Sequence, residues 1–87
     1  MGDKQISVLV VDDESAILEM IQFGLGKSGM AVRCAQSGKE ALIRITEAAP
    51  DILLLDWMMP NMSGPELIRR LRKDPVTAEI PIIMLTA

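Results

Sequence analysis

The 87-residue sequence has no histidine and no tyrosine, and it has a single cysteine. Without histidine, the chain cannot supply a Ser–His or Cys–His catalytic pair, and Cys34 alone cannot build a zinc site. Cys34 also cannot form an internal disulfide. This cysteine usage predicts a reducing, cytoplasmic setting.

Aromatic residues and basic runs are also scarce. One Trp and one Phe beside a hydrophobic fraction of 49% predict a small packed domain with an aliphatic core. The net charge is -3 and no basic run exceeds Arg69-Arg70, so this segment is not expected to bind nucleic acid directly. No apolar run approaches the roughly 20 residues of a membrane span, and no membrane association is expected. Four methionines are expected to fill the core: Met20, Met30, Met59 and Met84.

Three short aliphatic runs each end in a polar side chain. They cover residues 6–11, 52–55 and 80–85, and the side chains that follow them are Asp12 with Asp13, Asp56, and Thr86, respectively. Unalternating runs of this length predict strands buried on both faces. Open parallel sheets place their ligands at the carboxyl ends of the strands. The sequence therefore predicts an active site at this edge.

Apolar periodicity and capping signals predict three helices between the strands. They are expected from Ser15 to about Gly29, from Ser37 to about Pro50, and from Ser63 to about Asp74. Residues 30–35 alternate, so they predict a second strand that is buried on one face and lies at a sheet edge. The order β-α-β-α-β-α-β calls for a parallel sheet, with predicted strand order 2-1-3-4.

Asp12, Asp13 and Asp56 would bring three carboxylates together. Two carboxylates about 5 Å apart repel by roughly 3 kcal/mol at an effective dielectric constant near 20, so the cluster needs a cation or a proton. An all-oxygen site with few protein ligands favours Mg²⁺. An aspartate beside Mg²⁺ can attack a phosphoryl group and form an aspartyl-phosphate, and Thr86 can donate its hydroxyl to a phosphoryl oxygen.

Three segments resemble a known family: Val10–Glu14, Leu54–Gly64 and Ile80–Ala87. They look like the receiver domain of two-component response regulators, and they are most similar to the phosphate-regulon (OmpR/PhoB-type) branch of the winged-helix transcription regulators. The resemblance covers the whole chain. It implies a flavodoxin-like (CheY-like) doubly wound α/β fold.

The resemblance also implies roles for individual residues. Asp56 would accept a phosphoryl group from the phosphohistidine of a sensor histidine kinase, and the domain would act as a phospho-acceptor and not as an enzyme. Mg²⁺ would be held by the carboxylates of Asp13 and Asp56, by the backbone carbonyl of Met58, and by Asp12 through bound water. Thr86 would reorient toward the phosphoryl group.

By the same resemblance, residues 1–87 are the N-terminal two-thirds of a receiver domain. A fourth helix, a fifth strand with its phosphate-pairing lysine and aromatic switch residue, and a fifth helix would be missing. DNA would be contacted only through a C-terminal domain outside the chain. We therefore expect an open hydrophobic edge at residues 82–85, with self-association or a homodimer through it.

Three alternatives remain from the residues themselves. Acids that precede a helix, as Asp12 and Asp13 do, commonly serve as N-terminal caps. A haloacid-dehalogenase-type phosphatase also uses a nucleophilic aspartate, but it needs a second aspartate two residues later, where this chain has Met58. The third alternative is a protein-interaction module that is never phosphorylated.

Overall fold

The computed structural model of the chain describes residues 4–85, so the predicted switch residue Thr86 lies outside the described part. Four strands alternate with three helices in this part: β1 (Ser7–Val11), α1 (Ser15–Lys27), β2 (Ala31–Ala35), α2 (Gly38–Glu47), β3 (Ile52–Asp56), α3 (Gly64–Lys73) and β4 (Ile82–Leu85). All strand pairs are parallel, and the strand order is β2-β1-β3-β4. The α/β fold class and the strand order predicted from the sequence are confirmed.

The central strand β1 is buried on both faces, as predicted. Leu9 and Val11 pack into a core with α2 and α3, whereas Val8 and Val10 pack against Leu18 of α1 on the other face. Successive side chains of a strand point to opposite faces, so an unbroken aliphatic run fills two separate cores. The predicted β1 run is one residue too long, because Ile6 is exposed and lies before the strand.

β3 and β4 are less buried than their unalternating aliphatic runs predict, and among residues 4–85 β4 forms the open hydrophobic edge that is expected from the family resemblance. Leu53 and Leu55 are fully buried under α2 and α3, but Ile52 and Leu54 are half-buried and Ile83 is 55% exposed. The reason is that α1 packs on β1 and β2, so the same face of β3 and β4 is largely uncovered among residues 4–85. A shallow apolar groove of about 160 Å³ runs along this face.

Two of the three helices, α2 and α3, begin at the predicted caps. The hydroxyl of Ser37 accepts the N–H of Glu40 at 3.1 Å, and the hydroxyl of Ser63 accepts the N–H of Glu66 at 3.3 Å. Gly29 follows α1 with φ of 88°, the left-handed conformation that glycine adopts without strain. None of the helices among residues 4–85 is long and apolar enough to cross a membrane.

The prediction that Met20 fills the core is wrong. Its side chain is 63% exposed on α1, whereas Met59 is buried and Met30 and Met84 are half-buried. Met20 lies two residues beyond the buried Leu18, on the part of α1 that faces away from the sheet. Chemical type alone does not place a methionine, because its position on the helix decides burial.

The edge strand β2 is held from the side of α2. The guanidinium of Arg33 donates to the carbonyl oxygens of Arg44, at 3.0 Å, and of Ala48. These carbonyls lie at the C-terminal end of α2, where a helix favours positive charge, and the Arg44 carbonyl also accepts the N–H of Ala48 at 3.1 Å. Arg33, the polar residue of the edge strand β2, thus caps the C-terminal end of α2.

Asp51 fixes the register between β1 and β3. The N–H of Ser7 donates to the Asp51 carboxylate at 2.8 Å, and the N–H of Asp51 donates to the Ser7 carbonyl at 2.8 Å. The hydrogen bond from Ser7 lowers the pKa of Asp51, and the ammonium of Lys4 lies 3.6 Å from the carboxylate and lowers it further. In this register Val11, the last residue of β1, lies beside Leu55, the next-to-last residue of β3.

Candidate metal centre

Three carboxylates meet where β1 and β3 end. One oxygen from each of Asp12, Asp13 and Asp56 can lie within 4.8 Å of the other two. Because Val11 pairs with Leu55, the residues that follow these two positions are adjacent. Asp12 is buried, Asp56 is half-buried and Asp13 is exposed, so the cluster is open to solvent on one side.

Asp12 is held in place by backbone hydrogen bonds. Its N–H donates to the Ala35 carbonyl at 3.1 Å, and its Oδ1 accepts the N–H of Glu14 at 2.9 Å. This second bond closes a turn that leads the chain into α1. The N-cap of α1 is Glu14, whose side chain makes no capping hydrogen bond. A role in ending the helix at its N-terminus therefore explains one oxygen of Asp12, and it does not explain Asp13.

The pKa of the Asp56 carboxyl is raised above its ordinary value. Burial is the largest cause, and the charge of Asp12 is the next, with a smaller contribution from Asp13. The backbone N–H groups of Met58 and Trp57 oppose the rise. Binding a proton or a cation stabilises a carboxylate whose ionised form is disfavoured by neighbouring carboxylates. A metal site uses the interaction with a cation.

Replacing Asp56 with asparagine should stabilise the protein when no divalent cation is present. The pKa of Asp56 is higher in the folded state than the value near 3.8 that it has in the unfolded chain. The contribution of this carboxyl group to stability is therefore present at a pH below the unfolded pKa and is lost as the pH rises through the folded pKa. At pH 7 the ionised side chain is destabilising. We expect Asp56→Asn to increase the free energy of unfolding in urea by on the order of 1 kcal/mol at pH 7, with chelator present.

The same comparison at pH 3 is the control, because the parent carboxyl is then largely protonated and the difference should shrink. Saturating Mg²⁺ at pH 7 should reverse the order, making the parent chain the more stable protein. A variant that is less stable than the parent at pH 7 without metal would contradict this electrostatic account.

The loop after Asp56, residues 57–63, is tightly folded. The N–H of Met62 donates to the Pro60 carbonyl at 2.8 Å, and Asn61 between them has φ of 72°. This is a γ-turn, a strained conformation that is rare at residues other than glycine. The N–H of Gly64 donates to the Trp57 carbonyl at 3.0 Å and closes the loop. The loop is thus shaped by its own backbone hydrogen bonds.

Gly64 and Asn61 are site-shaping residues that the sequence reasoning missed. A Cβ on Gly64 would lie 2.5 Å from the backbone oxygen of Asp56, so the start of α3 packs directly on the end of β3. A signal was present, because a glycine follows the cap residue Ser63 where a better helix former is expected. Asn61 tolerates the left-handed region better than most side chains do.

The remaining predicted site residues differ in how far the structure describes them. Met58 lies in the loop with its side chain 72% exposed, and its N–H is directed at Asp56. Trp57 is half-exposed beside the cluster. Thr86 lies beyond the described residues.

The chain matches the response regulator receiver domain family over residues 8–87. It is 49% identical over 80 residues to the phosphate regulon transcriptional regulatory protein PhoB of Rhizobium meliloti (strain 1021). The aligned region covers 92% of this chain and 35% of that protein. It is 48% identical over 81 residues to the PhoB protein of Pseudomonas aeruginosa, with coverage of 93% and 35%. The chain thus spans about a third of the length of these curated relatives.

Solved structures agree with this match. The N-terminal domain of a response regulator receiver protein from Methanoculleus marisnigri JR1 has a TM-score of 0.90 and 41% identity, covering 92% of this chain and 65% of that chain. The chemotaxis protein CheY4 of Vibrio cholerae has a TM-score of 0.89 and 33% identity, covering 93% and 68%. From the sequence match, the relatives and the shared fold, the chain belongs to the response regulator receiver domain family.

Proposed function

We propose that this chain accepts a phosphoryl group on Asp56 from the phosphohistidine of a sensor histidine kinase. The Asp56 carboxylate oxygen forms a bond to phosphorus while the bond from phosphorus to the histidine nitrogen breaks, and the imidazole leaves. The observation that carries the proposal is the meeting of Asp12, Asp13 and Asp56 within 4.8 Å at the ends of β1 and β3. Half-buried Asp56 stands beside exposed Asp13, so a donor can reach it from solvent.

We propose Mg²⁺ as the ion of this site. The donor set is all oxygen and the charge is concentrated, which suits a hard cation that keeps several waters. Asp13 and Asp56 would bind through their carboxylates, Met58 through its backbone carbonyl, and Asp12 through water. The metal would neutralise charge during transfer. One oxygen of Asp12 already accepts the Glu14 N–H, which leaves the other free to hold such a water.

The wider role is a proposal that rests on the family. We propose that residues 1–87 are the N-terminal two-thirds of a cytoplasmic receiver domain, supported by 65% and 68% coverage of the solved relatives. Thr86 would donate its hydroxyl to a phosphoryl oxygen. The output would be transcriptional control through a DNA-binding domain outside the chain, supported by relatives that are named transcriptional regulatory proteins. The chain would accept the phosphoryl group, with the transfer partly self-catalysed.

Incubation with a small acyl phosphate and Mg²⁺ tests the acceptor role. The parent chain should gain about 80 Da, the mass of one phosphoryl group, and Asp56→Asn should gain nothing. Asp51→Asn is a suitable control because Asp51 lies at the opposite end of β3, and it should still acquire the adduct.

The two rival functions give different results in this experiment. A phosphatase of the haloacid-dehalogenase type would hydrolyse the donor in many turnovers, although Met58 stands where its second aspartate is needed. A pure interaction module would show no adduct on any variant and no turnover. Either result would overturn the acceptor proposal.

We also propose that β4 is an interaction edge for a second copy of the 87-residue chain. Among residues 4–85, β4 pairs with β3 alone, and half-exposed Ile83 extends an apolar groove beside it. Unpaired strand edges with apolar neighbours recruit other strands. Sedimentation should show a dimer or larger species that Ile83→Lys disperses. A folded monomer at high concentration would contradict this proposal.

A further inference from the structure

Helix α2 touches the loop after Asp56 at one unusually close contact. Gly38 is the first residue of α2 and is buried, and Met62 of the loop lies directly over it. A Cβ added to Gly38 would lie 2.6 Å from the Sδ of Met62 and 3.0 Å from both its Cβ and its Cγ. The hollow left by the missing side chain of Gly38 is therefore filled by Met62.

The position of Met62 is coupled to the rest of the loop. Its N–H is bonded to the Pro60 carbonyl in the γ-turn, and the loop ends two residues later at Gly64. Gly64 is bonded to Trp57 and packs on the Asp56 backbone. Because both ends and the apex of the loop are held, a shift of Met62 cannot be absorbed locally and must move the residues between Trp57 and Pro60.

From this contact we infer that Met62, seated against Gly38, is a positioning residue for the Asp56 site. It holds the loop so that the backbone of Met58 stays beside the carboxylates. The inference rests on the proposed function, in which the Met58 carbonyl binds the metal. It adds a contact with α2 to that site, since α2 contributes none of the proposed ligands.

The contact distances show that Gly38→Ala would move the loop and not only the end of a side chain. Rotation of the thioether can relieve the overlap with Sδ. The Cβ of Met62, however, is fixed to the backbone, and it would lie 3.0 Å from the new methyl group, as Cγ would. A cavity of about 530 Å³ beside the contact, lined in part by Leu42 and Pro60, gives the displaced side chain room. The variant should therefore fold with a displaced loop.

The first test measures Mg²⁺ affinity through Trp57 fluorescence. We expect Gly38→Ala to weaken Mg²⁺ binding by about threefold or more, and Met62→Ala to weaken it by loosening the loop. The double variant should bind more tightly than the product of the two effects predicts, because the alanine at position 62 removes the overlap with Sδ and Cγ and leaves only the contact with Cβ. The matched control is Gly24→Ala, since a Cβ at Gly24 would meet nothing within 4 Å.

The second test is independent of the metal. In amide NMR spectra, Gly38→Ala should shift the signals of residues 57–59, and Gly24→Ala should not. Met62→Ala introduces no overlap and supplies a folded variant if Gly38→Ala is unstable. If the parent chain does not bind Mg²⁺, the proposed function fails, and the NMR shifts still decide the positioning role.

Two outcomes would overturn the inference while leaving the proposed function intact. One is a parent chain that binds Mg²⁺ with an affinity unchanged in both Gly38→Ala and Met62→Ala. The other is a set of NMR changes confined to α2, with residues 57–59 unperturbed.

Discussion

Asp13→Asn is expected to weaken Mg²⁺ binding by at least about tenfold. The substitution removes one unit of charge and one proposed ligand from a cluster whose oxygens lie within 4.8 Å of one another. At an effective dielectric constant near 20, the attraction between single charges about 4 Å apart is on the order of 4 kcal/mol, and tenfold in affinity needs only about 1.4 kcal/mol of it. Asp13 is exposed, so the protein should remain folded. Titration followed by Trp57 fluorescence measures the change.

Glu14→Gln is the matched control for this experiment. It changes the net charge by the same amount at the adjacent position, but Glu14 lies outside the cluster of three carboxylates. It should change the affinity much less than Asp13→Asn does. Equal effects of the two substitutions would mean that Mg²⁺ responds only to the general negative field of this edge, and the assignment of Asp13 as a ligand would be wrong.

Gly64→Ala is expected to be the most destabilising conservative substitution near the site. The new methyl group would lie 2.5 Å from the Asp56 carbonyl oxygen and 3.2 Å from the Trp57 Cα. Both are backbone atoms, so no rotamer change can relieve the overlap, and β3 and α3 must separate. We expect a loss of about 1–3 kcal/mol in the free energy of unfolding, the range typical of overpacked sites. Urea denaturation measures it.

Gly26→Ala is the control for Gly64→Ala. Gly26 lies inside α1, where an added Cβ meets nothing within 4 Å, so the alanine should stabilise the helix by up to about 1 kcal/mol. The two Gly→Ala substitutions thus have opposite expected signs. A Gly64→Ala protein as stable as the parent would show that the packing of α3 on the end of β3 is looser than the distances indicate.

The sequence predicted the fold well where local patterns and topology decide it. Capping boxes at Ser37 and Ser63 marked two helix starts, because cap hydrogen bonds involve residues only three positions apart. The alternation of residues 30–35 identified the edge strand. The aliphatic runs alone overstated the burial of β3 and β4, since Ile52 and Ile83 depend on whether a helix from elsewhere in the chain covers them, whereas the family resemblance predicted the open edge at residues 82–85.

The candidate site also has a part that the sequence predicted and a part that it did not. The meeting of Asp12, Asp13 and Asp56 follows from parallel topology, because the carboxyl ends of neighbouring strands share one edge. The conformation of the loop beside these carboxylates could not be predicted from the topology. The seating of Met62 on Gly38 joins residues 24 positions apart through shape alone, and neither residue carries a local signal for it. The role of Thr86 stays a prediction of the sequence.

The proposed acceptor role of Asp56 is tested most directly by the site and the metal dependence of phosphorylation. The parent chain is incubated with a small acyl phosphate across a series of Mg²⁺ concentrations, and the adduct of about 80 Da is located by peptide mass spectrometry. We expect an adduct on Asp56 whose rate of formation saturates over the same Mg²⁺ range as the Trp57 fluorescence change. An adduct on another residue, or one that forms equally fast in chelator, would contradict it.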